Sequence, residues 1–282
     1  MKKRPRHPSP QYPSISIVIP ALNEADNLPY ILPRVGEVAH EVILVNGRSV
    51  DGTAEIARSL LPDIRIVQQV GKGKGAALRN GFDAATGDIV VMMDADGSTD
   101  PTEIPRFIDA LLDGADLVKG SRFLSSGGSA DITRLRQLGN LALNGIVNHL
   151  FQTQFTDLCY GYIALWRMCL HFFEVDCPGF EVETQINIRA RKANLKIVEV
   201  PSYEYLRRHG SSHLNAFRDG WRVLRTIGRE WKSGYSTVKT PGVHRVHYLT
   251  TLREPTMSHE MVIASSGSTL GTADNMKHGG VV

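Results

Sequence analysis

Short apolar runs alternate along the chain with segments of helical periodicity. The runs are rich in β-branched residues and bounded by turn residues, which predicts buried strands at 16–19, 41–45, 64–67, 89–93, 116–119 and 196–200. Helices are predicted around 27–38, after Asp51 and after Gly75, and then at 104–112, 133–151, 181–192 and 214–232. This alternation predicts an α/β fold with a mostly parallel sheet flanked by helices.

The helix at 104–112 has the clearest pattern of all, because its apolar residues recur at i, i+3, i+4, i+7 and i+8. Asp100 is its predicted cap, Pro101 takes the first turn, and Glu103 completes a capping-box pattern. Gly114 is predicted to end it. These signals place a helix directly after the fourth strand and the turn that follows it.

Two acids follow the fourth predicted strand. Asp94 and Asp96 stand two positions apart, and Ser98 adds a hydroxyl. In parallel sheets ligands bind beyond the carboxyl ends of the strands. Two carboxylates and a hydroxyl suit a hard divalent cation that also carries substrate phosphates. The alternative is that the acids only shape the turn and cap the next helix.

The Gly71–Gly75 loop places two lysines among three glycines at a predicted helix start. Exposed backbone N–H groups and a positive helix end attract phosphate. The loop matches neither the Walker A spacing nor Gly-x-Gly-x-x-Gly, and a flexible surface turn is the alternative. Together with the acidic pair, the loop favours a nucleoside-diphosphate substrate that is held through a metal ion. The ion would neutralise the negative charge that builds on the departing diphosphate.

Composition narrows the class of protein. A hydrophobic content of 42% and a charged content of 22% are ordinary for a soluble globular protein. A net charge of +3 is too small to indicate a nucleic-acid partner. Three cysteines without metal-type spacing fit a reducing compartment. We therefore expect a cytoplasmic protein, with contact to the inner face of the cell membrane left open.

The chain is predicted to divide into three parts. Residues 1–14 are basic and Pro-rich, unlike a signal peptide, and are predicted to form a disordered arm. A single catalytic domain is predicted at 15–235, and a disordered tail at 236–282, where periodicity disappears. No apolar run approaches the ~18 residues that a membrane span needs.

The predicted helix at 214–232 is amphipathic and basic. One face carries Leu214, Phe217, Trp221 and Leu224, and arginines crowd the rest. The commoner interpretation is that this apolar stripe packs on the core. The alternative is that the helix lies in a membrane interface near a lipid acceptor.

Several short segments in order carry a resemblance to a known family. They are 17–24 (IVIPALNE), 49–53 (SVDGT), 73–75 with Arg79, 94–96 (DAD), 120–123 (GSRF), Asp157 with 161–162, 180–183 (FEVE), and 198–201 (VEVP) followed by 209–212 (HGSS). The sequence resembles the family-2 glycosyltransferases of the GT-A (Rossmann-like) fold. Within them it is most similar to the polyprenyl-phosphate (dolichol-phosphate) mannosyl- or glucosyltransferase branch.

The resemblance implies roles for the matching positions. Nucleotide-sugar contacts would come from Pro20, Asn23, Glu24, Asn46, Lys74, Arg79, Asp94, Ala95 and Asp96. Mg²⁺ or Mn²⁺ would be held by Asp94, Asp96 and Ser98. The catalytic residues near the sugar and acceptor would be Arg122, Asp157 and Glu183. A mobile loop would carry three residues to the diphosphate or to an acceptor phosphate: Arg208, His209 and Ser211.

The chain departs from the family pattern at two places. Where the family has two adjacent acids after the second strand, this chain has Asn46 and Gly47. One of those acids normally contacts the base or ribose, so the donor base, in a GDP- or UDP-sugar, stays open. His213 stands where the family typically has a lysine.

We therefore predict a metal-dependent inverting glycosyltransferase that moves a hexose to polyprenyl phosphate, with inversion following from the resemblance. An acceptor phosphate is already an anion, whereas a hydroxyl acceptor would need a base. The alternatives are a soluble hydroxyl acceptor (natural product or glycan) with Asp157 as base, or a non-catalytic nucleotide-sugar-binding module. A sugar-1-phosphate nucleotidyltransferase is disfavoured, since no Gly-rich signature follows the first strand.

Overall fold

A computed structural model describes residues 12–172, 174–211 and 215–234. The predicted tail at 236–282 lies outside these residues, as do His213, Leu214 and most of the predicted arm at 1–14. The strands are β1 (Ile15–Ala21), β2 (Glu41–Asn46), β3 (Arg65–Gln68), β4 (Ile89–Met92), β5 (Leu117–Ser121), β6 (Gly128–Ser129), β7 (Ile163–Trp166), β8 (Ile197–Pro201) and β9 (Tyr203–Glu204).

The helices are α1 (Leu28–Gly36), α2 (Thr53–Leu60), α3 (Lys74–Ala84), α4 (Ile104–Leu112), α5 (Arg134–Phe151), α6 (Val182–Lys192) and α7 (Ala216–Lys232). Short 3₁₀ turns occupy Pro101–Glu103 and Arg167–Phe172. Each predicted strand and helix is present, with ends shifted by a few residues. The periodicity of the sequence therefore located the elements well.

Seven strands form one sheet in the order β3-β2-β1-β4-β7-β5-β8. All neighbouring pairs are parallel except those of β7, which runs antiparallel to both β4 and β5. β6 and β9 pair with each other as a separate parallel ribbon. The predicted mostly parallel sheet is confirmed, with one reversed strand near its centre.

Helices cover both faces of the sheet, which explains why the strands read as continuous apolar runs. On one face α1, α2 and α4 contribute Leu28, Ile31, Leu32, Val35, Ala57, Ile104, Phe107 and Leu111. On the other, α3 and α6 contribute Ala77, Leu78, Phe82, Val182 and Ile186. A third cluster joins α5, α6 and α7. Every β4 residue is fully buried, and each such side chain contributes roughly 1.5–3 kcal/mol.

The start of α4 differs in one detail from the prediction. Asp100 caps the 3₁₀ turn Pro101–Glu103 that leads into α4, and it accepts a hydrogen bond from the Thr102 N–H at 3.0 Å. Glu103, however, does not complete a capping box. Its carboxylate accepts hydrogen bonds from the Ser202 hydroxyl and from the Tyr203 N–H. The capping-box prediction is wrong because donors from the segment after β8 engage both carboxylate oxygens of Glu103.

The orientation of α7 also corrects an expectation. Phe217 and Trp221 are 78% and 68% exposed, whereas Val223 and Ile227 face the core. The expectation that the Phe217–Trp221 stripe packs on the core is therefore wrong, since a different face of the helix does so. Within the described residues, none of the helices combines the length and apolar content that crossing a bilayer requires.

Candidate active site

The predicted site residues gather at one edge of the sheet. β1, β2, β4 and β5 are mutually parallel in direction, so Glu24, Asn46, Asp94 and Arg122 lie at or just beyond their common carboxyl edge. β7 runs the other way and begins at that edge, which brings Asp157 to it. Ligands of open α/β sheets bind at this edge.

Lys74 links the acidic turn to α6. Its ammonium lies 2.5 Å from Asp94 Oδ1 and 2.7 Å from Glu183 Oε1. Burial would lower the pKa of Lys74, but the two carboxylates outweigh it and raise that pKa well above its ordinary value. Burial also raises the pKa of Glu183, and the charge of Lys74 offsets only part of that rise. Lys74 is therefore a fixed positive charge beside Asp94.

Arg207 makes the matching contact on the other carboxylate. Its guanidinium lies 3.0 Å from Asp96 Oδ2 and 3.0 Å from Glu24 Oε1. The second oxygen of Asp96 accepts hydrogen bonds from the Ser98 N–H at 3.0 Å and hydroxyl at 2.7 Å. Burial raises the pKa of Glu24, and Arg207 counteracts part of this shift. The acidic pair thus lies between two cations, each shared with a buried glutamate.

The loop that carries Arg207 is tied to the start of α1. The His209 N–H donates to Asn27 Oδ1 at 2.9 Å, and Asn27 Nδ2 donates back to the His209 carbonyl at 3.2 Å. The His209 ring stacks on Tyr30, with 5.7 Å between centroids. Arg208 lies over the same tyrosine ring, 5.1 Å from its centroid. Arg207, which was not among the predicted residues, therefore contacts the carboxylates, while the predicted Arg208 packs on Tyr30 and Ser211 is exposed.

Arg122 and Asp157 form the acceptor side of the predicted site. Arg122 Nε donates to Asp157 Oδ2 at 2.7 Å and Nη2 donates to Oδ1 at 2.9 Å. Asn140 Nδ2 donates to the same Oδ1 at 2.9 Å, and Arg122 Nη1 donates to Glu204 at 2.9 Å. Burial raises the pKa of Asp157, but the hydrogen bonds and charge of Arg122 outweigh it and leave that pKa below its ordinary value.

The predicted donor-binding asparagines at the ends of β1 and β2 both bond to the loop that follows β2. Asn46 Oδ1 accepts from the Ser49 N–H at 2.9 Å, and Asn23 Oδ1 accepts from the Val50 N–H at 2.9 Å. Arg48 adopts a positive φ of 66° between them. Both asparagines therefore fix the conformation of these loops, while Pro20 lies within β1 and Ala95 is buried between the two acids.

The glycine-rich loop packs against the segment before α6. The Gly75 N–H donates to the Pro178 carbonyl at 2.9 Å, so it is not free for a phosphate. Side chains at Gly73 or Gly75 would collide with the backbone of 177–178. Arg79 donates to the Val175 carbonyl at 3.1 Å. The glycines and Arg79 thus serve packing, whereas Lys74 enters the site.

The residues fit a divalent cation of the magnesium type. The Asp94 and Asp96 side chains are 31% and 17% exposed, so their oxygens can be reached. In the part of the chain that the structure describes, no group of three or more His, Cys, Asp or Glu side chains is arranged around a metal. Mg²⁺ commonly uses one or two carboxylates and completes its shell with water and substrate phosphates.

Four contacting residues were not predicted from the sequence: Lys119, Asn140, Glu204 and Arg207. Arg122 and Glu204 are 82 positions apart in the chain, and Arg207 and Glu24 are 183 apart. No local pattern announces such pairs. The only signal was the neighbourhood of recognised motifs, since Lys119 precedes GSRF and Arg207 precedes HGSS.

Comparison with known proteins identifies the class. The model of the family described as Glycosyl transferase family 2 matches residues 16–171, more than half of the chain. The chain belongs to this family. The predicted class of enzyme, a glycosyltransferase that transfers hexoses, is confirmed by the family and by the names of its relatives.

Two relatives show which branch of the family this chain is similar to. The chain is 30% identical over 223 residues to glycosyltransferase AglJ of Haloferax volcanii, covering 78% of this chain and 73% of the relative. It is 33% identical over 198 residues to the polyprenol monophosphomannose synthase of Mycolicibacterium smegmatis, covering 66% and 75%. The resemblance to the polyprenyl-phosphate branch is thereby confirmed.

A solved structure supports the fold. Glucosyl-3-phosphoglycerate synthase from Mycobacterium tuberculosis, in complex with Mn²⁺, UDP-glucose and phosphoglyceric acid, superposes with a TM-score of 0.63. The two chains are 25% identical, and the match covers 78% of this chain and 80% of that one. The predicted GT-A-like fold is confirmed.

Proposed function

We propose that this chain is a metal-dependent inverting glycosyltransferase that moves a hexose from a nucleotide-diphosphate sugar to a polyprenyl phosphate. One observation carries the proposal: Asp94 and Asp96 stand beyond the central strand β4 with Lys74 and Arg207 beside them. Carboxylates suit a metal ion and the cations suit phosphates. A relative named polyprenol monophosphomannose synthase and a neighbour with bound Mn²⁺ and UDP-glucose support it.

Asp94 and Asp96 would hold Mg²⁺ or Mn²⁺, with Ser98 orienting Asp96 through its hydrogen bonds. When bound, the ion neutralises the negative charge that builds on the departing diphosphate. Arg207 lies 3.0 Å from Asp96 Oδ2, at the same turn. We infer that its guanidinium would contact a phosphate oxygen of the donor.

Arg122 would bind the acceptor phosphate. Asp157 and Glu204 occupy three of its five guanidinium N–H donors, and two remain for an anion. A phosphate oxygen would attack the anomeric carbon as the bond to the diphosphate oxygen breaks, which inverts that carbon. No proton has to leave the attacking oxygen, because a phosphate monoester is largely ionised at neutral pH.

The contacts of Asp157 favour a phosphate over a hydroxyl acceptor. A hydroxyl would need a general base within reach. Asp157 is fully buried, both its oxygens are engaged by Arg122 and Asn140, and its pKa is lowered. Glu183 is buried against Lys74. We therefore infer that Asp157 orients Arg122 and does not accept a proton.

We propose further that α7 docks the protein peripherally on the inner face of the cell membrane. At about 100° per residue the helix has three faces. Val223 and its neighbours face the core, Phe217 and Trp221 are exposed, and a row of basic residues follows beside them: Arg218, Arg222, Arg225, Arg229 and Lys232. Exposed aromatics beside arginines suit an anionic lipid interface.

A thermal-shift panel of UDP, GDP and their sugars, with and without Mn²⁺, tests the donor site. A ligand bound only by the native state raises the melting temperature. One nucleotide should do so with metal, and Asp96→Asn should abolish the shift. Asp109→Asn, on the exposed side of α4, is the matched control. Transfer of labelled sugar to polyprenyl phosphate should follow, and transfer to polyprenol alone would overturn the acceptor assignment.

Vesicle co-sedimentation tests the docking surface. The full chain should bind phosphatidylglycerol vesicles and bind phosphatidylcholine vesicles weakly, because the arginines attract anionic headgroups. The double variant Phe217→Ser, Trp221→Ser should lose binding while keeping donor-induced thermal shifts. Val70→Ser removes an exposed apolar group elsewhere and is the control. Equal binding by both variants would contradict docking through α7.

A further inference from the structure

Lys119 has no exposed surface and lies on β5, the strand next to the edge strand β8. Its register partners are Ile163 of β7 and Glu199 of β8. Its ammonium donates to the Asp157 carbonyl and, at 3.2 Å, to the Gly120 carbonyl, and lies 3.4 Å from Glu199 Oε1. A buried ammonium is costly unless it is paired and hydrogen-bonded. The contacts of Lys119 meet that condition.

Glu199 binds the same turn through its carboxylate. Its Oε2 accepts hydrogen bonds from the Thr156 N–H at 2.8 Å and from the Thr156 hydroxyl at 2.7 Å. Its Oε1 accepts from the Asp157 N–H at 3.3 Å. Together Lys119 and Glu199 bind the peptide groups on both sides of the Asp157 Cα. The backbone of Asp157 is therefore held by one charged pair beneath it.

Asp157 passes this constraint to Arg122. The aspartate accepts from the Arg122 backbone N–H at 3.1 Å as well as from two guanidinium nitrogens. A shift of the Asp157 backbone would move its carboxylate and turn the guanidinium with it. Bidentate arginine contacts depend strongly on geometry. The orientation of Arg122 thus rests on contacts that begin at Lys119, which touches none of the proposed substrates.

We propose that Lys119 is a positioning residue that sets the orientation of Arg122 through Glu199 and the Asp157 turn. Well-packed apolar residues can replace a buried ion pair at little cost or even with a gain in stability, so this pair suits a role in geometry better than a role in stability. The consequence for the acceptor rests on the proposed function, in which Arg122 binds the acceptor phosphate. The effect on the Asp157 turn does not rest on it.

The test compares Lys119→Met, Glu199→Gln and the double variant, in which neither partner is left as an unpaired buried charge. Hydrogen–deuterium exchange of the full chain reports the turn directly. In the double variant, exchange should accelerate in peptides covering 121–123 and 156–158 and stay unchanged in β2. In transfer assays its acceptor KM should rise about tenfold, while its donor KM should change by less than about twofold.

Two results would overturn the proposal. One is a double variant with wild-type exchange at both segments. The other is a double variant whose acceptor and donor KM rise together, since that would indicate a general loss of structure. If the wild type transfers sugar to no acceptor, the proposed function fails, and the exchange comparison still decides whether Lys119 positions the Asp157 turn.

Discussion

Arg122 and Asp157 form a buried bidentate ion pair in which only Arg122 keeps a small exposed fraction, 6%, with Nε–Oδ2 at 2.7 Å and Nη2–Oδ1 at 2.9 Å. Arg122 directly follows β5, and Asp157 lies in the turn before β7. The two can meet because β7 is antiparallel to β5 and begins where β5 ends. This ion pair therefore depends on one reversed strand in an otherwise parallel sheet.

Asp157→Asn should destabilise the fold by about 3 kcal/mol at pH 7, because it removes the bidentate counter-charge of the buried Arg122 and leaves only Glu204. Asp157 has a lowered pKa in the folded state. Its stabilising contribution is therefore present above the ordinary value of 3.8 and is lost as the pH falls below it. Urea unfolding should show a gap between wild type and variant at pH 7 that narrows at pH 3. A constant gap would contradict the lowered pKa.

Lys74→Met should be strongly destabilising, by about 3–5 kcal/mol, because it leaves the buried Glu183 beside Asp94 without a counter-charge. Folding raises the pKa of Glu183, so the folded state binds its proton more tightly than the unfolded state does. Stability then falls as the pH rises through the folded pKa. The loss of unfolding free energy in Lys74→Met, relative to the wild type, should therefore be smaller at pH 5 than at pH 8.

Adding Glu183→Gln to Lys74→Met removes the unpaired carboxylate and should restore most of the stability. Chemical denaturation of the single and double variants at both pH values measures this. A single variant with the same deficit at pH 5 and pH 8 would show that Glu183 is not the group that Lys74 stabilises.

The sequence alone predicted the sheet, its helices and the acidic turn, because these depend on local periodicity and turn chemistry. The run 89–92 has only apolar residues and proved buried on both faces. The direction of β7 could not be predicted in the same way, since an apolar strand reads the same in either direction. For α7, the apolar stripe marked the exposed face, and Val223 and Ile227 make the core contact.

The sequence named the motifs of the candidate site but not the ion pairs between them. Asp94, Asp96, Arg122 and Asp157 lie at one edge of the sheet. Which cation meets which carboxylate depends on contacts between distant segments, such as Arg207 with Glu24. The sequence placed two arginines side by side at 207–208, and periodicity cannot say which one turns inward in a loop.

Arg207→Met should strengthen Mn²⁺ binding in the absence of nucleotide by about tenfold, or 1.4 kcal/mol. The reason is that Arg207 lies 3.0 Å from Asp96 Oδ2 and competes with the ion for it. Arg208→Met is the matched control, because Arg208 lies over the Tyr30 ring. Titration calorimetry with Mn²⁺ alone measures the effect. Unchanged or weaker binding in Arg207→Met would argue against the competition.

Gly75→Ala should destabilise the fold by at least about 2 kcal/mol, because the added Cβ would collide with the Cys177 carbonyl and separate the glycine-rich loop from the segment before α6. Lys74 would shift with the loop, so donor-induced thermal shifts should weaken as well. Gly139→Ala on α5 is the control, because a Cβ added at this position would have no atom within 4 Å. Alanine there should stabilise the helix by about 0.5–1 kcal/mol. Equal melting temperatures for the two variants would show that the loop can move aside and that Gly75 is not needed for its packing.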